Sequence, residues 1–254
     1  MNCIVRRWIG VVLLTAIVVL TGCNQNKVLK VGMENNFRPF TYTEGGENKG
    51  FEVELWQEIA QKAGIRYELV PMESRELSPA LKSGKVDLVI AGMTVNKARK
   101  DELAFSDPYF QTGLVMLTAQ DRADIKSKDD LKGKTVATKL DTTAYTFTGA
   151  IPGLKEVKGY PDIGEAYEDL IANKVDCVIF DERNVHQYMQ SAGNGKVKMV
   201  GEVLNKESYA IAGKKRNRYI GSVNSAIEDV TKNGTYEKLY MKWFGNKPAK
   251  LPGE

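Results

Sequence analysis

Short apolar runs alternate along this chain with segments whose apolar residues recur every three to four positions. The first kind of pattern predicts buried strands and the second predicts amphipathic helices. The stretch 86–99 (VDLVIAGMTVNKAR) contains both: residues 86–91 predict a fully buried strand, and Lys97–Glu102 predicts a helix that opens after a Ser/Thr/Asn-type cap. A second copy lies further on, where LKSGKVDLVI at 81–90 recurs as LIANKVDCVI at 170–179. Each copy reads as a helix end, a turn and a buried strand. The chain therefore predicts two similar α/β lobes whose buried strands end in polar residues, the place where ligands sit in open α/β sheets.

The remaining elements follow in order. Strands are predicted at 28–33, 66–71, 114–117, 135–138, 157–160, 175–180 and 208–212. Helices are predicted from Phe51 to Gly64, with Phe51, Leu55, Ile59 and Ala63 on one face, and at 73–83, 127–131, 144–147, 163–173, 185–190, 220–232 and 235–244. Residues 34–40 and 104–110 read as loops and 44–49 as a turn. Strands alternating with helices point to mostly parallel sheets. With no linker-like stretch, the two crossings between lobes are placed near 109–113 and 205–209. The boundaries that result are 28–110 with 208–247 for lobe 1, 111–207 for lobe 2, and 248–254 for a polar tail.

The N-terminus changes the picture. Arg6 and Arg7 precede an apolar run from Trp8 to Leu20, too short to span a membrane and suited to the core of a secretory signal. It ends in Leu20-Thr21-Gly22-Cys23, which resembles a bacterial lipobox with Cys23 as the lipidated residue. Residues 1–22 are then a lipoprotein signal peptide, and 23–27 a tether on a membrane-anchored, extracytoplasmic protein. Without residues 1–22 the 36 Lys and Arg fall to 34 against 32 Asp and Glu, a balance that gives no reason to expect a nucleic-acid partner. Cys3 goes with the signal and Cys23 with the lipid, so Cys177 remains as a core thiol.

Catalytic and cofactor motifs are weak. His186, the single histidine, has no partner at metal-ligand spacing. Gly133-Lys134-Thr135 resembles the end of a phosphate-binding loop, but Lys128 stands where that motif needs glycine. Asp87 and Asp176 precede buried strands and read as turn residues. No metal or cofactor is expected.

Several ordered motifs carry a resemblance that runs from about Val28 to Gly245: Phe37-Arg-Pro-Phe40, Gly50-Phe-Glu-Val-Glu-Leu55, Ala91-Gly-Met-Thr94 with Arg99, Phe105-Ser-Asp-Pro-Tyr109, Asp130-Leu-Lys-Gly-Lys134, Asn233-Gly-Thr-Tyr236 and Lys242-Trp-Phe244. In these the chain resembles the extracytoplasmic polar-amino-acid-binding proteins of bacterial ABC importers. The resemblance implies a two-lobed clamshell that captures a free L-amino acid, acts as a monomer and docks on an ABC permease. It gives Arg99 the ligand's α-carboxylate, with Thr94, Ala91 and Gly92 completing that pocket and Thr142 and Thr143 adding donors from the second lobe. Asp181 takes the α-ammonium, Phe37 stacks on the ligand with Phe40 in the core, Glu34 meets the ammonium or the side chain, and Lys139 stands at the side-chain end of the cleft. Lys139 matches glutamine binders, while Glu34, Glu73 and Glu76 pull toward arginine or lysine. Ser74 stands where the family commonly has an aromatic residue, and Leu140-Asp141-Thr142 replaces a commoner Ser-Gly-Thr. The chain is also similar to cyclohexadienyl dehydratases on the same scaffold, for which Glu34, Glu73 or Glu182 would supply the acid.

Overall fold

The computed structural model describes residues 27–254. The expected signal peptide, Cys23 and the expected tether before Lys27 lie outside the described residues. In chain order the elements are β1 (Leu29–Glu34), β2 (Asn36–Phe37), β3 (Thr41–Glu44), β4 (Glu47–Lys49), α1 (Phe51–Ala63), β5 (Tyr67–Met72), α2 (Ser74–Ser83), β6 (Leu88–Val89), α3 (Lys97–Glu102), β7 (Leu103–Phe105) and β8 (Phe110–Ala119). They continue with β9 (Thr135–Lys139), α4 (Thr143–Gly149), β10 (Glu156–Tyr160), α5 (Ile163–Ile171), β11 (Cys177–Asp181), α6 (Glu182–Met189), β12 (Val197–Tyr209), β13 (Ala212–Lys214), α7 (Ile220–Lys232) and α8 (Thr235–Phe244).

Two five-stranded sheets form the lobes, ordered β5-β1-β6-β13-β7 and β10-β9-β11-β8-β12. The internal repeat is real in space. β6 and β11 are the third strands of their sheets, each parallel to the second. Asp87 and Asp176 do the same work in the two copies. Asp87 accepts the Lys30 backbone N–H at 3.0 Å and Asp176 accepts that of Thr135 at 2.7 Å, so each carboxylate ties the start of one buried strand to its neighbour.

The sheets are mixed rather than mostly parallel. Each has two parallel pairings (β1 with β5 and β6, β9 with β10 and β11) and two antiparallel ones. Parallel neighbours need a helical crossover, whereas β8, β12 and β13 reach their sheets directly from the crossings between lobes and pair antiparallel.

Three local expectations also change. Residues 36–49 form a small antiparallel sheet, β2-β3-β4, where a loop and a turn are expected. β8 extends well beyond 114–117. β12 is a 13-residue strand where only 208–212 is expected; its middle is largely exposed and its register shifts between Val200 and Asn205, which breaks the alternation a strand normally shows. The strand expected at 208–212 is instead the junction of β12 and β13.

Helix α1 follows its pattern closely. Phe51, Leu55, Trp56, Ile59 and Ala60 are buried, Glu52 and Glu54 sit in the first turn, and Gly64 closes the helix in the left-handed conformation at φ 64°. It packs against α7 and α8. Cys177 is fully buried, and burial pushes its thiol up to about 12, as befits an inert core residue. The tail beyond α8 carries no helix or strand, although Leu251 packs on the core.

Candidate functional site

Four parallel strands end at one cavity of about 290 Å³ between the lobes. Glu34 is the last residue of β1, Lys139 of β9 and Asp181 of β11, while Ala91 and Gly92 follow β6. All eleven residues singled out in the sequence line this cavity: Glu34, Phe37, Ser74, Ala91, Gly92, Thr94, Arg99, Lys139, Thr142, Thr143 and Asp181. The lobes are in contact around it. Asn36 Nδ2 donates to Asp162 at 2.6 Å, and Asn184 Nδ2 donates to the Arg38 carbonyl at 2.6 Å.

At one end stands Arg99, on α3, whose first turn is held by Asn96 Oδ1 accepting the Arg99 N–H at 2.8 Å. Arg99 Nη1 donates to the Thr94 carbonyl at 3.0 Å, which aims the guanidinium and leaves further donors on its fork. Burial pulls this guanidinium below its ordinary pKa, opposed by the nearby charge of Glu207 and by Tyr209. Thr142 caps α4, accepting the Tyr145 N–H at 3.2 Å while its hydroxyl donates to the Lys139 carbonyl at 2.7 Å. Thr143 opens that helix.

Asp181 fills two roles at once. Its Oδ1 caps α6 by accepting the N–H groups of Arg183 and Asn184 at 3.0 and 3.1 Å. Its Oδ2 accepts the Thr112 hydroxyl at 2.7 Å and the Tyr209 hydroxyl. Burial raises its pKa, and these four donors pull it back. The carboxylate thus faces the cavity already oriented.

At the other end Glu34 and Lys139, both almost wholly buried, form an ion pair across the cleft. Burial raises the Glu34 carboxyl, and Lys139 and a hydrogen bond with Ser74 oppose that rise. The charged segment around Ser74 is a helix start: Glu73 and Glu76 form a reciprocal capping box, and Glu73 pairs with Arg75 at 2.7 Å. Glu73 does not line this cavity but lines an adjoining one of about 640 Å³, whereas Arg75 lines both.

Phe37 forms a wall, stacked on the fully buried Phe40 at 4.9 Å between centroids and edge-on to Phe180 and Tyr209. Gly92 sits at φ +56°, and a Cβ there would come within 2.4 Å of the Phe37 ring, so no other residue fits. Beneath it lies Glu52 of α1, wholly buried. It accepts the Gly92 N–H at 2.9 and 3.1 Å and the Tyr109 hydroxyl at 2.5 Å. Burial pushes the Glu52 carboxyl up to about 8.

Sequence reasoning missed Glu52, Glu207 and Tyr209. Glu52 shares a helical stripe with buried Trp56 and Ala60, a usable signal. Glu207 and Tyr209 sit on the expected crossing, but nothing in their pattern says that they point inward. Among the described residues no group of acids, histidines or cysteines is placed to hold a metal. His186 stands 3.9 Å from Glu182 on the surface of α6, away from the cavity.

A two-lobed α/β fold with a polar cavity at the strand ends invites comparison with known proteins. The sequence profile of the bacterial extracellular solute-binding proteins, family 3, matches residues 29–246. The chain belongs to this family. This family 3 protein is 32% identical over 226 residues to the L-cystine-binding protein TcyA of Bacillus subtilis, covering 88% of this chain and 83% of that one. It is 30% identical to the arginine-binding extracellular protein ArtP of the same organism, over 94% and 98% of the two chains. Among solved structures it is similar to an ancestral arginine-binding protein bound to glutamine, with 39% identity, a TM-score of 0.81, and coverage of 86% and 98%.

Proposed function

We propose that this family 3 protein captures a free polar L-amino acid between its lobes and delivers it to an ABC permease. The carrying observation is a cation from one lobe and a carboxylate from the other, Arg99 and Asp181, lining one small cavity. A zwitterion needs that arrangement. Arg99 takes the α-carboxylate through its planar fork, with Thr94, the Ala91–Gly92 backbone and the Thr142–Thr143 segment around it. Asp181 takes the α-ammonium, its carboxylate already oriented by the N-terminus of α6 and by the Thr112 and Tyr209 hydroxyls, and Phe37 lies against the ligand's apolar part. Because each lobe supplies one charge, the ligand binds the closed form better than the open one and shifts the population toward it.

Glutamine is the first ligand we propose. Glu34 and Lys139 place an acceptor and a donor together at the far end, and a carboxamide needs one of each. Arginine or lysine is the alternative, supported by the buried Glu34 carboxylate and by the arginine-binding relative. We propose no enzymatic step. Of the three candidate acids for a dehydratase, Glu73 lines only the adjoining cavity, Glu182 lines neither, and Glu34 is ion-paired with Lys139. Cys23 is proposed as the lipid anchor that holds the protein at the outer face of the membrane, and Cys23→Ser should release it.

A thermal-shift screen against the twenty amino acids and L-cystine tests the reading. A true ligand at 100 times its dissociation constant stabilises by about 2.7 kcal/mol. Glutamine should give the largest shift, and no shift from any amino acid would sink the proposal.

A further inference from the structure

Glu207 lies in β12 where the chain crosses between lobes, paired with Thr112 of the other crossing strand, and is 8% exposed. Its Oε2 accepts the Thr94 hydroxyl at 3.0 Å and the Thr143 hydroxyl at 2.9 Å. Its Oε1 accepts Asn205 Nδ2 at 3.1 Å. Thr94 belongs to the first lobe, where it follows β6, and Thr143 to the second, where it opens α4. A threonine hydroxyl carries a single hydrogen. Both hydroxyls face one carboxylate oxygen and lie 3.5 Å from each other, so each hydrogen has an acceptor outside the ligand.

We propose that Glu207 is a positioning residue, a brace that ties the two lobes together from the hinge through the hydroxyls of Thr94 and Thr143. The brace has two consequences. It favours the closed arrangement before any ligand arrives. It also moves the work of holding an anion away from the two hydroxyls and onto Arg99 and backbone N–H groups, because hydroxyls that donate to Glu207 offer only lone pairs to a ligand. The inference rests on the proposed binding site only for its second consequence; the first concerns the ligand-free protein alone.

The test is a double-mutant cycle on the ligand-free full chain, read by single-molecule energy transfer between one dye on each lobe. Glu207→Ala and Thr143→Val should each lower the closed-to-open ratio by about tenfold, equivalent to about 1.4 kcal/mol. The double variant should lower it no further than Glu207→Ala alone, since Thr143→Val removes a contact that Glu207→Ala has already removed. Thr143→Val is nearly isosteric, so it keeps the cycle readable if Glu207→Ala folds poorly, and a melting curve of each variant checks folding directly. An unchanged ratio, an additive double variant, or a wild type that is fully open without ligand would overturn the brace. Titration with L-glutamine and L-arginine then separates the two readings. If neither binds wild type, the ligand assignment fails while the ligand-free cycle still decides the brace. If Thr143→Val weakens binding as much in the Glu207→Ala background as in wild type, the hydroxyl grips the ligand and the second consequence is wrong.

Discussion

The two ends of the cavity are built on different principles. At the Glu34 end the lobes meet through a charge pair, with Lys139 of one sheet facing Glu34 of the other in near-complete burial. At the Arg99 end they meet through neutral hydroxyls on the Glu207 carboxylate. A buried charge that loses its partner is costly, whereas a hydroxyl that loses its acceptor forfeits one hydrogen bond. On the proposed reading the first end meets the ligand's distinguishing group and tolerates little change. On the same reading the second meets what every amino acid shares and can be tuned in small steps.

The largest effect should come from the cation itself. Arg99→Ala should abolish amino-acid binding in calorimetry while the melting temperature stays near wild type. Retained affinity would break the assignment of this end. Next is Lys139→Met, which leaves the Glu34 carboxylate buried alone in the closed form at a cost of about 3–5 kcal/mol. Opening the cleft returns that carboxylate to water, so scattering should show an opened molecule rather than an unfolded one. Adding Glu34→Gln should restore closure. If Lys139→Met stays closed, the contrast between the ends is wrong.

A smaller effect concerns the layer beneath. The Glu52 carboxyl is raised from 4.5 to about 8 in the folded protein. The unfolded chain gives up this proton near 4.5 and the folded chain keeps it to about 8, so this group's contribution to stability is greatest at low pH and is lost as pH rises through that window. Glu52→Gln should flatten that fall in melting temperature. Glu34 and Asp181, also raised by burial, act with the same sign and leave part of the slope in place.

Much of this is legible in the sequence alone. The repeat at 81–90 and 170–179 foretold two lobes, and the strand ends it marked do converge on one cavity. Residues such as Arg99 and Asp181 could be found because they follow buried strands in recognisable motifs. β12 could not, because an edge strand with a bulge has no clean alternation and pairs with β8, distant in sequence. The mixed sheets were hidden for the same reason, since antiparallel pairing through a crossing leaves no local signal. Glu207 looks like a surface acid, and only tertiary burial reveals it as the partner of Thr94 and Thr143; Glu52 is marked by its stripe with Trp56 and Ala60, but its partner Gly92 is not.

The most direct test of the central claim, that Arg99 and Asp181 hold the two charges of one zwitterion, is calorimetric titration of the protein with L-glutamine, its N-acetyl derivative and its α-carboxamide. L-Glutamine should bind with one-to-one stoichiometry, and both derivatives should fail, each having lost one of the charges. A derivative that binds as tightly as the free amino acid would contradict the account.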